Sequence, residues 1–315
     1  MITKNEIDTW KRDGAVLVKN LVNTSLVDKC LNYVQNLHKN NELKIDDFGS
    51  SGRLEFPTLS ILDELSINES VIKSVQALLE TTDIVLTQSD TWGKEGKSDF
   101  SSESNNDQRM HMDYGNNSFL HPSDWNEPEC VSIIIYLSNV FETGGETRYV
   151  PRTQENEKFY QEPYTKMPGI GKFPFFNDKN NTEKFFEENE PSVHKFRQEL
   201  YEKEVIKKPA TGDILFYRLD LWHRGTPVLK NKIRFVTNLV FKRRECFWIH
   251  QWNPGWSKKM YYGHLENMIE KMTPLQRSIL GIPPPGHGYW TRKKVEHLQA
   301  RYPMMDINPY ISKLK

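Results

Sequence analysis

Gln108-Arg109-Met110-His111-Met112-Asp113-Tyr114 is the stretch from which the rest of the chain can be read. In an extended segment, side chains two apart point to the same face. His111 and Asp113 therefore aim an imidazole and a carboxylate into one pocket, and Met112 turns away. A second imidazole arrives much later, in Trp222-His223-Arg224-Gly225. Eleven residues past His223 stands Arg234, inside the otherwise apolar run from Ile233 to Phe241. A guanidinium in a strand pattern needs a reason, and an anion deep in a pocket supplies one.

His111, Asp113 and His223 together make a 2-His-1-carboxylate set. Such a set occupies one face of an octahedral metal and leaves the other positions open, as in non-haem Fe(II) oxygenases. Alone, His111-x-Asp113 is also compatible with a turn histidine beside a hydrogen-bonding aspartate. Arg234 is compatible with a structural ion pair. It is the combination of the two histidines, the acid, the arginine and the Gly144-Gly145 turn between them that singles out a metal site.

The chain of 315 residues carries 42 Lys and Arg against 42 Asp and Glu, so no overall field points to nucleic acid or to an anionic membrane. Cys30, Cys130 and Cys246 are odd in number and widely spaced, which fits neither a disulfide framework nor a zinc pattern. No apolar run reaches membrane-span length and the N-terminus is polar, so a cytoplasmic protein is expected. Ser312-Lys313-Leu314 is followed by Lys315, so it is not read as a peroxisomal signal.

Thr3 and Glu6 form a capping box that opens a helix through Trp10, ended by Gly14. A strand follows at Ala15 to Val18, then a helix from Thr24 with Leu26, Val27, Cys30, Leu31, Val34 and Leu37 on one face. Residues 40–66 read as polar and irregular. Asn68 or Ser70 caps a third helix, and Ile84 to Gln88 is a strand. Trp92 to Gly96 and the polar residues 97–107 read as a loop that delivers His111; Lys94 and Lys97 are candidates to meet an anionic substrate, with solvated loop residues as the default reading. Strands recur at 130–137, 146–150, 212–217 and 233–241, with a turn at 142–145. The charged and aromatic residues 152–207 form an ordered insertion, with a helical part between Phe185 and Glu204. Residues 245–315 form a C-terminal helical extension, rich in aromatics near Trp248 and Trp252. The expected architecture is a single domain over 1–315, mainly β with flanking helices: a double-stranded β-helix, or jelly roll, behind an N-terminal helical layer.

These motifs resemble the phytanoyl-CoA dioxygenase family of Fe(II)/2-oxoglutarate oxygenases. Trp10 to Val18 resembles its opening helix and strand, His111-Met112-Asp113 its HxD motif, His223 its distal histidine and Arg234 its 2-oxoglutarate-binding arginine. The resemblance spans roughly residues 5–243 and leaves out the insertion and the C-terminal extension. It implies Fe(II) on His111, Asp113 and His223, with 2-oxoglutarate and O₂ as co-substrates and Arg234 as the anchor for the far carboxylate. Thr147 and Gln88 are candidates to hydrogen-bond 2-oxoglutarate. The implied reaction hydroxylates a C–H bond of a small organic substrate and converts 2-oxoglutarate to succinate and CO₂. Related halogenases resemble this pattern but lack the acid that Asp113 supplies, which favours hydroxylation.

Gly144-Gly145-Glu146-Thr147 departs from the family and looks more like a segment of prolyl 4-hydroxylases, so a peptide hydroxylase is one alternative. Those enzymes bind 2-oxoglutarate through a lysine, against which Arg234 speaks. A non-catalytic jelly-roll binding protein is the other alternative. Tyr114, His121, Trp92, Trp125 and Trp222 are candidate pocket or loop-packing residues. The expected partner is a small molecule, with the protein a monomer or homodimer. The loops at 97–107 and 114–129 and the insertion are the expected lid and specificity elements.

Overall fold

A computed structural model describes residues 1–45, 52–96, 107–113, 125–161, 166–168, 173–174, 176–246, 264–302 and 304–314. Helix α1 (Lys4–Asp13) starts at the expected capping box and stops where Gly14 turns to φ +83° and donates its N–H to Trp10 O at 2.8 Å. Strand β1 (Ala15–Val18) and helix α2 (Thr24–Lys39) follow, the latter capped by Asn23. Strand β2 (Arg53–Glu55) and one-turn helix α3 (Asp63–Ser66) lie within the stretch expected to be irregular. Asn68, whose side chain accepts from Ser70 N and Val71 N, caps α4 (Glu69–Leu79).

Strand β3 (Ile84–Glu95) is longer than the expected strand, which ended at Gln88. A bulge between Leu86 and Gln88 breaks its apolar pattern, yet pairing with β9 (Ile233–Arg243) runs on to Glu95↔Ile233. Lys94 is thus a buried strand residue and not a solvated loop residue. Cross-strand pairing decides the element here against local composition.

Strand β4 (Cys130–Tyr136) leads through a single helical turn, α5 (Val140–Thr143), into β5 (Thr147–Tyr149). Within the insertion lie helices α6 (Lys179–Asn189) and α7 (Pro191–Lys203) and the short β6 (Val205–Ile206). Strands β7 (Ile214–Tyr217) and β8 (His223–Gly225) precede β9, and helices α8 (His264–Lys271), α9 (Pro274–Ile279), α10 (Arg292–Arg301) and α11 (Asn308–Ile311) close the chain.

The strands form two antiparallel sheets, one ordered β1-β7-β4-β9-β3-β2 and one ordered β6-β5-β8. They stand as separate sheets, and among the described residues no ladder joins them into the closed barrel that the jelly-roll reading implies. Side-chain contacts connect them instead: the Tyr136 hydroxyl of the large sheet donates to Thr147 Oγ1 of the small one at 3.0 Å.

Alternation divides the large sheet. Ile133, Ile135, Ile214, Phe216, Leu239 and Phe241 turn outward into the main core with Val27, Cys30 and Val34 of α2 and Val71, Val75 and Leu78 of α4. Ile134, Tyr136, Leu215, Tyr217, Trp92 and Val236 turn inward, with Tyr149 of the small sheet. Register sets inward residues in rows across the strands. One row holds Tyr217, Ser132, Val240 and Gln88, and the next holds Leu215, Ile134, Asn238 and Asp90. A third row holds Tyr136, Val236 and Trp92, and the last pairs Arg234 directly with Lys94.

Candidate metal centre

His111 and His223 meet as an isolated antiparallel bridge, with reciprocal backbone hydrogen bonds of 2.9 and 2.8 Å. This bridge lays the segment before Asp113 along the free side of β8. The metal-ligating atoms of His111, Asp113 and His223 all lie within 4.8 Å of one another. Asp113 Oδ1 is 3.5 Å from His111 Nε2 and 3.4 Å from His223 Nε2. The three expected ligands therefore converge on one point from two chain segments far apart in sequence.

The outer contacts orient each ligand. His111 Nδ1 donates to Arg109 O at 3.0 Å, and His223 Nδ1 donates to Leu221 O at 2.9 Å. A carbonyl can only accept, so each ring carries its proton on Nδ1 and turns an Nε2 lone pair to the common point. The Tyr217 hydroxyl donates to Asp113 Oδ2 at 2.7 Å and leaves Oδ1 for the centre. Burial, aided by the Arg109 charge, pushes His111 down to about 4, so it is neutral as a ligand must be. Burial opposes ionisation of Asp113, but His223 and His111 outweigh it and hold the carboxylate well below its usual range.

Arg234 is buried on the inner face, its guanidinium 5.0 Å from the Trp92 ring. Its Nη1 donates to Gly145 O, whereas Nε is buried with no partner. Burial lowers its pKa, with Tyr136 and Glu146 acting in the opposite direction. Opposite it, the Lys94 ammonium donates to Thr226 O at 2.9 Å, and burial followed by repulsion from Arg234 brings it down to about 7. Two buried cations in direct register make a receptor for an anion. Thr147 is held at this end through its bond from Tyr136.

Gln88 stands six positions before Lys94 on β3, in the row of Tyr217, which holds Asp113, and its Nε2 donates to Asp90 Oδ2 at 2.9 Å. Trp125 packs against Tyr160 and donates from Nε1 to Lys11 O at 3.1 Å, and Trp222 donates to Phe159 O at 2.9 Å, so both are packing residues. Tyr114, His121, Lys97, Trp248 and Trp252 lie outside the described residues.

Sequence reasoning passed over Tyr217 and Tyr136 as parts of the site, and set Lys94 by default in a solvated loop. Lys94 was within reach: counting the strand period onward from Gln88 puts residues 90, 92 and 94 on one face. Tyr217 carries no such signal, because its partner Asp113 is contributed by a distant loop.

The chain has the fold of non-haem 2-oxoglutarate-dependent enzymes. Among solved structures it is similar to SnoK, a non-haem alpha ketoglutarate-dependent carbocyclase from nogalamycin biosynthesis, at 12% identity and TM-score 0.55 over 82% of this chain and 90% of that one. It is similar to the epimerase SnoN, determined with Fe3+, alpha ketoglutarate and nogalamycin RO, at 16% identity and TM-score 0.53 over 76% of this chain and 82% of that one. HygX from Streptomyces hygroscopicus, with nickel and 2-oxoglutarate bound, aligns at 13% identity and TM-score 0.50 over 80% of this chain and 90% of that one. No family model and no curated protein matches the chain. Among the described residues no helix is long and apolar enough to cross a membrane.

Proposed function

We propose that the protein is an Fe(II)- and 2-oxoglutarate-dependent oxygenase that hydroxylates a C–H bond of a small organic substrate, in the manner of the phytanoyl-CoA dioxygenase family its motifs resemble. The observation that carries this reading is the pairing of a converging His–Asp–His set with an inward, buried guanidinium whose Nε has no partner. The donor set fits iron: two neutral imidazoles and one carboxylate leave a divalent ion with net positive charge and open positions. Bound there, iron with 2-oxoglutarate and O₂ supplies oxidation of a C–H bond, coupled to release of succinate and CO₂.

The chain's own residues then have separate tasks. His111, Asp113 and His223 hold the ion, and the carbonyls of Arg109 and Leu221 and the Tyr217 hydroxyl fix their orientation. Arg234, with Lys94 opposite, takes the far carboxylate of the co-substrate, which a buried site cannot hold without a counter-charge. Tyr136 and Thr147 border that end, and Trp92, Ile134 and Leu215 keep the inner face dry. Asp113 occupies the position that a halogenase of this kind leaves free for chloride, which favours hydroxylation.

The reading is tested by incubating the protein aerobically with Fe(II) and 2-oxoglutarate and quantifying succinate. Slow succinate formation is expected without added substrate, and its loss in His223→Ala. Succinate at the level of a protein-free control would contradict it.

A further inference from the structure

Strands β3 and β9 treat their two faces differently. Outward, their polar side chains are satisfied: Thr91 Oγ1 and Thr237 Oγ1 bond at 2.7 Å, as do Ser66 Oγ and Ser89 Oγ. Inward, they are not. Asp90, with its side chain 5% exposed, accepts at Oδ2 from Arg53 Nη1 and Gln88 Nε2, both at 2.9 Å. Its Oδ1 is buried without a partner. Asn238 stands directly opposite Asp90 in the register, and its Oδ1 is also buried without a partner. Gln88 and Asn238 are only half-buried on this face, between central strands of the sheet.

Buried polar atoms in native proteins are nearly always hydrogen-bonded, so two orphan acceptors on facing residues are a signal. Nothing in the packing requires them, because the corresponding inward residues on β4 and β7 are Ile134 and Leu215. Their place is informative. The Asp90–Asn238 row lies between the row of Tyr217, which holds Asp113, and the row of Arg234 and Lys94. The ion pair with Arg53 already balances the charge of Asp90. What remains is hydrogen-bonding capacity without net charge, which a hydroxyl, donor and acceptor at once, satisfies and which gives an ammonium no net counter-charge.

We propose that Asp90 and Asn238 form a substrate subsite that binds a hydroxyl-bearing, polyol-like portion of the substrate, while the apolar half of the same face at Ile134 and Leu215 receives a hydrocarbon portion. This deepens the oxygenase reading and rests on it for the identity of the bound molecule as substrate. The subsite itself is a property of the sheet and needs no metal to be tested. Substitution of Asn238 removes no hydrogen bond made within the described residues, so the fold tolerates it.

The test is ligand-observed saturation-transfer NMR on the metal-free full-length protein. The probes are methyl α-glucopyranoside, myo-inositol and cis-cyclohexane-1,2-diol, with cyclohexylmethanol as the single-hydroxyl control. Wild type is expected to transfer saturation to at least one polyhydroxyl probe in preference to the control. Binding of that probe is expected to weaken roughly tenfold, the worth of one to two hydrogen bonds, in both Asn238→Val and Asn238→Leu. Thermal unfolding of each variant verifies that it is folded. Equal transfer to the control, transfer undiminished in the folded variants, or no transfer to any probe would overturn the subsite. The Fe(II)/2-oxoglutarate absorption band, recorded on the same wild-type preparation, reports separately on the oxygenase reading.

Discussion

The Tyr217 hydroxyl is the contact that fixes which oxygen of Asp113 faces the two imidazoles. Burial first, and then the Asp113 charge, raise its pKa well above the usual phenol value, so it remains a donor at every working pH. Removing an outer partner of this kind lowers metal affinity 10–100-fold in general. Tyr217→Phe is therefore expected to weaken Fe(II) binding by about tenfold in competition titrations, and an unchanged affinity would show that Asp113 is oriented by other means. Lys94 gives a pH dependence. Depressed to about 7 by burial and by Arg234, it also faces Asp107 and Arg224, whose effects oppose each other. Its cationic form is the one that attracts a carboxylate, so it is populated below that pH and lost above it. Affinity for 2-oxoglutarate is expected to fall as pH rises through about 7 and to flatten in Lys94→Met. Calorimetry in buffers of different ionisation enthalpy reads the same event as proton uptake on binding above pH 7. Equal proton uptake in Lys94→Met would assign it to another group.

At the scale of elements, the turn from α5 into β5 links the fold to the anion receptor. Gly145 takes φ +77°, and a Cβ there would lie 2.7 Å from Val228 Cγ2 and 3.3 Å from Arg234 Cδ. Its carbonyl also accepts from Arg234 Nη1. Gly145→Ala is expected to destabilise the protein by about 1–3 kcal/mol, the usual cost of a side chain in such a conformation, and to weaken 2-oxoglutarate binding. Denaturant unfolding and a co-substrate titration measure the two effects, and a loss of neither would show that the turn can relax. Elements with local signals were legible in the sequence: the Thr3–Glu6 capping box, the Asn68 cap and the apolar strand β4 all stand where composition put them. Those that depend on distant partners were not. The second half of β3 is strand because β9 pairs with it, and β2 exists because β3 continues that far.

In the whole molecule, the insertion carries the helical part the sequence predicted, and its described helices brace the metal segment, a role the sequence did not signal. Arg197, fully buried, donates to Glu183 Oε1 at 2.9 Å, to Lys166 O at 2.9 Å and to Met110 O at 3.1 Å. Tyr201 donates to Glu183 at 2.7 Å and accepts from Met110 N at 3.1 Å. Both backbone groups of the residue before His111 are thus held by α7. Arg197→Met takes the guanidinium counter-charge from the buried Glu183 carboxylate, a change that typically costs about 3–5 kcal/mol. A clear drop in thermal stability with weaker metal binding is expected, and a variant as stable as wild type would return the insertion to a peripheral role. The grouping of His111, Asp113 and His223 was legible from residue type and alternation, and they do converge, whereas the bracing that positions them is tertiary. The central claim is that one pocket chelates Fe(II) and 2-oxoglutarate together. Anaerobic absorbance of the metal-free protein titrated with Fe(II) and then 2-oxoglutarate tests it most directly. A visible charge-transfer band that is absent in Asp113→Ala and weakened in Arg234→Ala is the predicted result. A folded, metal-loaded wild type that shows no band on adding 2-oxoglutarate would contradict it.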